Sequence, residues 1–408
     1  MGRNAMRPAG SLLACTVSLL LLALTSLWLG GCRASGKAAV VGGRARPLAM
    51  PDPVRAVWVA RFHYRYPDDV RAIIQNCAKL GCNTVLWQVR GNGAVAYRSR
   101  IEPWSREFEH RDPGFDPLAV AVDEAHQQDL RIEAWVNLMP GWSGKAPPPV
   151  RNQLYHTHPE WFLHDAAGQR QPLNDHYVIL NPCLPEVRRY LVSVIEEIVT
   201  NYAVDGIHLD YVRYAWETTR NARDLYPRDA KTVALFRNLT RRNPDDAPEA
   251  WDAWRANQLT RLVADIRQMM EQRHPGVTLT AAVWSDPHVG YDGYFQNGLA
   301  WLRSGLLDAA YPMAYTEQPE TFSGYVQTYH RLAPGRRIIP GLGIYKHKTA
   351  DQMRSQLRVC AGAGGNFALF SYDSLLPTHG DRGKKQPDPN RDTLRHLRRD
   401  VLSEFDDR

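Results

Sequence analysis

From residue 55 onward, short apolar and β-branched runs alternate with stretches whose apolar residues recur at helical spacing. The runs are AVWVAR (56–61), TVLWQVR (84–90), RIEAWVN (131–137), GIHLDYV (206–212), TLTAAVW (278–284), AAYPMAY (309–315), RIIPGLGI (337–344) and NFALFSY (366–372). Between them lie DDVRAIIQNCAKLG (68–81), DPLAVAVDEAHQQ (116–128), PEVRRYLVSVIEEIVTNY (185–202) and AWRANQLTRLVADIRQMMEQ (253–272). Later helices begin near Gly298, Glu320 and Thr349, and a last one near Arg391. Eight strand-then-helix units predict the α/β class: a single (β/α)8 TIM barrel over residues 55–403, with a tail at 404–408. Gly81, Gly276 and Gly305 stand where a left-handed cap would end a helix before the next strand. The segments after the second strand (91–115), the third (138–184) and the fourth (213–250) far exceed the usual βα loop of about two to six residues. Each follows a strand, so all three are expected over the barrel's C-terminal face, where barrel enzymes keep their chemistry.

Residues 1–54 follow another pattern. Arg3 and Arg7 precede an apolar run from Ser11 to Leu29, which closes in Leu29-Gly30-Gly31-Cys32. That is the layout of an export signal, and its ending resembles the lipobox of bacterial lipoproteins, with Cys32 as the lipidated residue. An uncleaved membrane anchor is the alternative, since about 18 apolar residues span a bilayer. Residues 32–54 carry no hydrophobic period and are read as a flexible tether. The expected location is the bacterial cell envelope, lipid-anchored at the outer membrane and facing the periplasm, because Arg33 replaces the aspartate that commonly retains lipoproteins at an inner membrane.

Composition narrows the function classes. With 408 residues, 44% hydrophobic and 23% charged, the chain is globular rather than disordered or fibrous. The net charge of +7 comes from interspersed signs with only short basic clusters, which argues against nucleic-acid binding. Removing residues 1–31 takes away Arg3 and Arg7 and lowers that charge to +5. Cys77, Cys82, Cys183 and Cys360 match no zinc spacing and read as buried thiols, a Cys77–Cys82 bridge being the open alternative. His156, His158, His164 and His176 crowd one loop but repeat no metal-ligand spacing. No cofactor is expected, and no metal. Schiff-base, nucleophile-elbow and phosphate-loop chemistries lack their residues, so hydrolase or transferase chemistry by carboxylates remains.

Asp210 closes the fourth strand in phase with His208, which aims it at the barrel mouth. Other carboxylates on that face are Glu102 and Glu107 after the second strand, Asp286 after the fifth, Glu317 after the sixth and Asp373 after the eighth. Glycoside hydrolysis needs two such groups, about 5 to 5.5 Å apart for retention or about 6.5 to 9.5 Å for inversion. Asp210 is expected as nucleophile or base, kept ionised by Arg213; Glu102 is the first choice of acid, then Glu317 and Asp286. The plain alternative for Glu102 is an ion pair with Arg90 or Arg98. Trp104, Trp142, Trp216 and Trp284 near strand ends could stack on sugar rings, whereas Trp58, Trp87 and Trp135 within strands read as core.

Read in order, RAVWVARF (55–62), LGCNTVLWQVRGNGAVAYRSRIEPWS (80–105), FDPLAVAVDEAH (115–126), EAWVNL (133–138), HPEWF (158–162), NPCLPEVRRYL (181–191), VDGIHLDYVRY (204–214), GLLDAAYPMAY (305–315) and PGLGIY (340–345) resemble the bacterial glycoside-hydrolase-like 10 family. The resemblance implies a barrel glycosidase of the cell envelope acting on wall glycan of the peptidoglycan type, and it marks Gln88, Arg90, Glu102, Trp104, Asn137, Asp210, Arg213, Tyr311 and Tyr315 as site lining. Trp142, His208 and Trp284 join this expected substrate-binding set. Two departures are Ala215, where the family often has proline, and 91–96, which lacks the acidic residue usual before the alanine-tyrosine pair. A monomer acting on a polysaccharide is expected. A non-catalytic glycan-binding scaffold and a metal-dependent wall-sugar deacetylase are the alternatives.

Overall fold

A computed structural model describes residues 47–214, 225–381 and 389–406. The chain enters through β1 (Arg55–Val59), α1 (Pro67–Lys79), β2 (Thr84–Arg90), α2 (Pro117–Gln127) and β3 (Arg131–Asn137). An excursion follows: β4 (Pro140–Ser143), α3 (Leu154–Thr157) and β5 (Tyr177–Ile179), then α4 (Pro185–Asn201) and β6 (Gly206–Asp210). Next come α5 (Ala230–Thr240), α6 (Pro248–Arg273), β7 (Thr278–Trp284), α7 (Pro287–Tyr294), α8 (Gly298–Arg303) and β8 (Ala309–Met313). The remainder is α9 (Pro319–Leu332), β9 (Arg337–Ile338), β10 (Gly341–Leu342), α10 (Ala350–Gly362), β11 (Phe367–Leu369) and α11 (Pro389–Asp406).

Nine strands form one curled sheet in the order β10-β11-β1-β2-β3-β6-β7-β8-β9, and every pairing within it is parallel. The predicted seventh strand is two short ones. Pro340 interrupts it because proline has no N–H to give a ladder; its carbonyl still accepts from Ala368 N at 2.9 Å. Residues before the break pair with β8 and those after it with β11.

Alternation along the strands divides the core in two. Val57, Val85, Ile132, Ile207, Leu279 and Ala310 pack outward with apolar residues of the helices, such as Ile74, Leu118, Ile195 and Leu262. Their neighbours Trp58, Leu86, Trp135, Ala309 and Tyr311 form a separate cluster on the concave face. Period-two alternation puts successive side chains on opposite faces, so one strand face builds the scaffold while the other is left to line a site. Gly81, Gly276 and Gly305 adopt the positive φ that a left-handed cap requires.

Two features depart from the sequence reading. The long segment after β3 carries an antiparallel ribbon, β4–β5, and the segment after β6 contains α5. Residues 47–54, within the expected tether, are tied to the sheet: Leu48 N donates to Asp205 Oδ1 at 2.6 Å, Val54 N to Asn366 Oδ1 at 2.8 Å. Cys77, Cys82, Cys183 and Cys360 are buried thiols, as the sequence reading expected, and the alternative Cys77–Cys82 bridge does not form. Cys32 and the expected signal lie outside the described residues, as do Ala215 and Trp216. Among the described residues no helix is long and apolar enough to cross a membrane.

Candidate active site

The C-terminal strand ends surround a cavity of about 460 Å³. Asp210, the last residue of β6, lies opposite Asn137 in the register with β3. Its Oδ2 accepts from Trp135 Nε1 at 3.1 Å and its Oδ1 from the main-chain N of Tyr211 at 2.6 Å. Tyr211 has φ of 52°, a left-handed conformation that costs a non-glycine residue about 1–2 kcal/mol. That turn brings its N–H back onto the carboxylate. Asp210 is 6% exposed. Burial raises its carboxyl above the ordinary range, and Arg213, the Tyr211 N–H and Trp135 oppose the shift.

Arg213 also lines the cavity, its guanidinium carbon 4.2 Å from the Tyr211 ring centre, 5.5 Å from Tyr294 and 5.7 Å from Trp284. Trp284 and Tyr294 stack at 4.5 Å, so the cation is held by ring faces. On another wall Tyr315 stacks on Phe370 at 5.0 Å and meets Trp58 edge-on, while Phe62 and Tyr345 stand exposed at the rim. Aromatic faces of this kind suit the apolar faces of sugar rings. A polar strip completes the lining: Arg61 donates to Gln88 Oε1 at 3.1 Å, Gln88 to Asn137 Oδ1 at 3.2 Å, and Asn137 to the Tyr177 hydroxyl at 3.3 Å.

Beneath the cavity runs a buried chain of bonds whose direction is set by chemistry. Trp58 Nε1 only donates, and it donates to His208 Nε2 at 3.1 Å. His208 must then carry its proton on Nδ1, which gives to Thr280 Oγ1 at 2.9 Å. The Thr280 hydroxyl gives to Glu133 Oε2 at 2.6 Å, and Arg131 donates to the other oxygen of Glu133 at 3.2 Å. Burial lowers His208 to about 3, so it is neutral at pH 7. The floor tryptophan is thereby anchored to a buried ion pair.

Of the predicted site residues, the structure gathers Asp210, Gln88, Asn137, Arg213 and Tyr315 around the cavity. His208 and Tyr311 sit one layer below, Tyr311 edge-on to both Trp58 and His208. Glu102 is not brought to the cavity. It is fully buried with Arg90, which donates to it at 2.8 and 2.7 Å, and with the Tyr190 hydroxyl at 2.7 Å. Arg90 turns away because the β2–β3 register shifts between Gln88 and Arg90; its other bonds go to the carbonyls of Asn137, Leu138 and Pro140. Asp286 caps α7 by accepting from His288 N at 2.8 Å. Glu317 faces Lys346 on the rim at 3.9 Å. Trp104 packs edge-on against Phe108, and Trp142 donates to Ala146 O at 2.9 Å. Trp284 contributes through the ring stack behind Arg213.

Trp58 and Trp135 are buried core residues, as the sequence reading had them, and both also line the cavity. Trp135 stands opposite His208 on the neighbouring strand, and Trp58 keeps the same phase through Leu86 of β2 and Glu133 of β3. Tyr177 arrives from the long third loop with no periodic cue. Asp373, noted after the eighth strand but not chosen, is the second carboxylate of the lining. Among the described residues no three His, Cys, Asp or Glu side chains converge as a metal set. His156 and His164 instead bond carbonyls, and His158 stacks on Trp161.

Comparison with known proteins adds an independent line. The model of the family described as Glycosyl hydrolase-like 10 matches residues 53–355. Glycosyl hydrolase DigH of Escherichia coli K12 is 28% identical over 309 residues, 67% of this chain and 64% of DigH. Glycosyl hydrolase YngK of Bacillus subtilis 168 is 25% identical over 296 residues, 64% of this chain and 54% of YngK. The chain thus matches less than two thirds of either relative's length. Among solved structures, the glycoside hydrolase domain of PgaB (BpsB) from Bordetella bronchiseptica superposes with a TM-score of 0.60 at 15% identity, covering 85% of this chain and 98% of that one. The catalytic domain of β-amylase from Paenibacillus polymyxa gives 0.56 at 11% identity, covering 86% and 98%. At such identities the likeness is one of fold.

Proposed function

Because the chain belongs to the glycosyl hydrolase-like 10 family, we propose that it is an envelope glycoside hydrolase that cleaves bacterial cell-wall glycan of the peptidoglycan type, or a related polysaccharide. The observation that carries this reading is Asp210, a strand-end carboxylate buried beside aromatic walls and bonded on both oxygens. The curled sheet is read as a (β/α)8 barrel in which 337–342 serves as one strand, bound to β8 by its first half and to β11 by its second. Tyr315, Phe370 and the floor Trp58 offer faces to a sugar ring, and Gln88, Asn137 and Arg213 offer polar contacts to its hydroxyls.

The direct test is reducing-end release from purified wall glycan strands, with and without their peptides, by wild type and Asp210→Asn. Wild-type turnover that falls by about 100-fold or more in a folded Asp210→Asn supports the reading. Polymer binding without release of ends overturns it in favour of a scaffold. The proposed route to the envelope is lipidation of Cys32, with the barrel held at the outer membrane and facing the periplasm. Cys32→Ser is then expected to yield a soluble or uncleaved protein; unchanged membrane fractionation with a processed N-terminus overturns that part.

A further inference from the structure

We propose that Asp373 is the second catalytic carboxylate, acting as the base toward water while Asp210 is the acid, and that Arg391 of α11 is its positioning residue. This rests on the hydrolase reading above and deepens it. Among the described residues lining the cavity, Asp210 and Asp373 are the two carboxylates. Asp210 ends β6, and Asp373 follows β11 by way of Phe370 and Ser371, which also line the cavity. Along the sheet β1, β2 and β3 separate these strands one way, and β7, β8 and the β9–β10 run separate them the other. The two groups therefore enter from opposite sides, as carboxylates flanking a scissile bond must.

Their surroundings differ in a way that assigns the proton. Arg391 Nη2 donates to Asp373 Oδ2 at 2.9 Å, and Ser371 Oγ to Oδ1 at 2.5 Å. His63 Nε2 lies 3.5 Å from Oδ1. The main-chain N of Ala60 donates to His63 Nδ1 at 3.1 Å, so the ring carries its proton on the nitrogen that faces Asp373. Arg395 donates to the main-chain carbonyl of Asp373 at 2.9 Å, and Arg391 and Arg395 both bond Asp381, which fixes the clamp. Donors thus surround Asp373, and its 26% exposed side chain meets water. Asp210 lies deeper, among Trp135, Tyr211 and Tyr315. Of the two, Asp210 is the more deeply buried, and burial favours its neutral carboxyl against the opposing Arg213, Tyr211 N–H and Trp135, whereas Asp373 stands at the water-facing side beside Arg391. Asp373 and Arg391 both lie beyond residue 355, where the family match ends.

The step balances as an inverting hydrolysis. A water oxygen bonds to the anomeric carbon as the bond from that carbon to the glycosidic oxygen breaks. Asp373 takes the water's proton, and the leaving oxygen, which receives the bonding pair, takes the proton of Asp210. Solvent then carries the proton from Asp373 back to Asp210.

The experiment uses the full chain on peptide-free wall glycan strands, following the anomer of the first product by NMR. The expected wild-type product has inverted configuration. Asp373→Asn is expected to lower kcat by about 100-fold or more with KM within about threefold. Azide added to Asp373→Ala should restore turnover and give a glycosyl azide of inverted configuration. Arg391→Met should cost about tenfold in kcat, with Arg391→Lys recovering most of it, a rescue that loss of packing alone does not produce. Retained configuration in the wild-type product, or near-normal kcat in folded Asp373→Asn, overturns the proposal while leaving the hydrolase reading intact. A wild type that releases no ends overturns both. If Asp373→Asn does not fold, the wild-type anomer and the Arg391→Lys to Arg391→Met comparison still decide.

Discussion

Glu102 and Arg90 make two short hydrogen bonds with neither side chain exposed, and Tyr190 adds a third to the same carboxylate. Removing one partner of such a pair strands a charge in low dielectric, which costs about 3–5 kcal/mol. Glu102→Gln is therefore expected to lower stability by about 3 kcal/mol in denaturant titrations, while kcat per folded molecule stays near wild type. A fully stable Glu102→Gln without activity would return Glu102 to the chemistry. The family resemblance marked both Gln88 and Arg90 as site lining, and in a regular strand residues two apart share a face. The irregularity between them breaks that phase, and a one-residue shift sends a side chain to the other face of a sheet. Gln88 stays in the cavity and Arg90 goes to the loops.

Those loops are held by one residue among others, Gln153, which has no exposed surface. Its Nε2 donates to Gly141 O at 2.5 Å and to the carbonyls of Asn92 and Gly93 at 3.3 Å; its Oε1 accepts from Tyr155 N at 2.6 Å. Gly93 has φ of 68°, and a Cβ there would come within 2.5 Å of Gly141 O, so the two loops meet where only glycine fits. Gln153→Ala leaves buried carbonyls without a donor, at about 1–3 kcal/mol each. The expected result is faster amide exchange over 91–95 and 140–143 and a raised KM with kcat largely kept. Unchanged exchange would show that the loops order themselves without it. The same logic governs the floor. Thr280→Val removes the hydroxyl between His208 and Glu133 and should shift the emission of Trp58.

Over the whole molecule, three buried imidazoles tie stability to pH. Burial lowers His63 and His347 to about 4 and His208 to about 3, against an ordinary value near 6.5. Because these folded values lie below the unfolded one, the unfolded chain takes up protons first as pH falls. Their stabilising contribution is whole above about pH 6.5 and drains between there and pH 4, at about 1.4 kcal/mol per pH unit for each ring. Thermal unfolding between pH 7 and pH 5 should show a falling midpoint, and His208→Gln should remove about a third of that slope. A midpoint flat across this range would mean that the rings are protonated in the folded state.

Much of the scaffold was legible from local order alone. Runs of β-branched residues separated by helical periods determine an α/β chain with a parallel sheet, because both periods are properties of the backbone and need no partner. The end of the fourth predicted strand as the place of a carboxylate facing the site follows from the same periodicity. What the tertiary structure alone decided is which carboxylates meet. Glu102, Asp286 and Glu317 each had a strand exit to recommend them, yet an ion pair, a helix cap and a rim lysine took them. Asp373 was held in the cavity by Arg391 and His63, residues 18 positions later in the chain and on the loop after β1. Such assignments depend on distances of a few ångströms between elements far apart in sequence, and on which buried group a charge reaches first. No periodicity encodes them, because they are settled by how the sheet curls and where its register shifts.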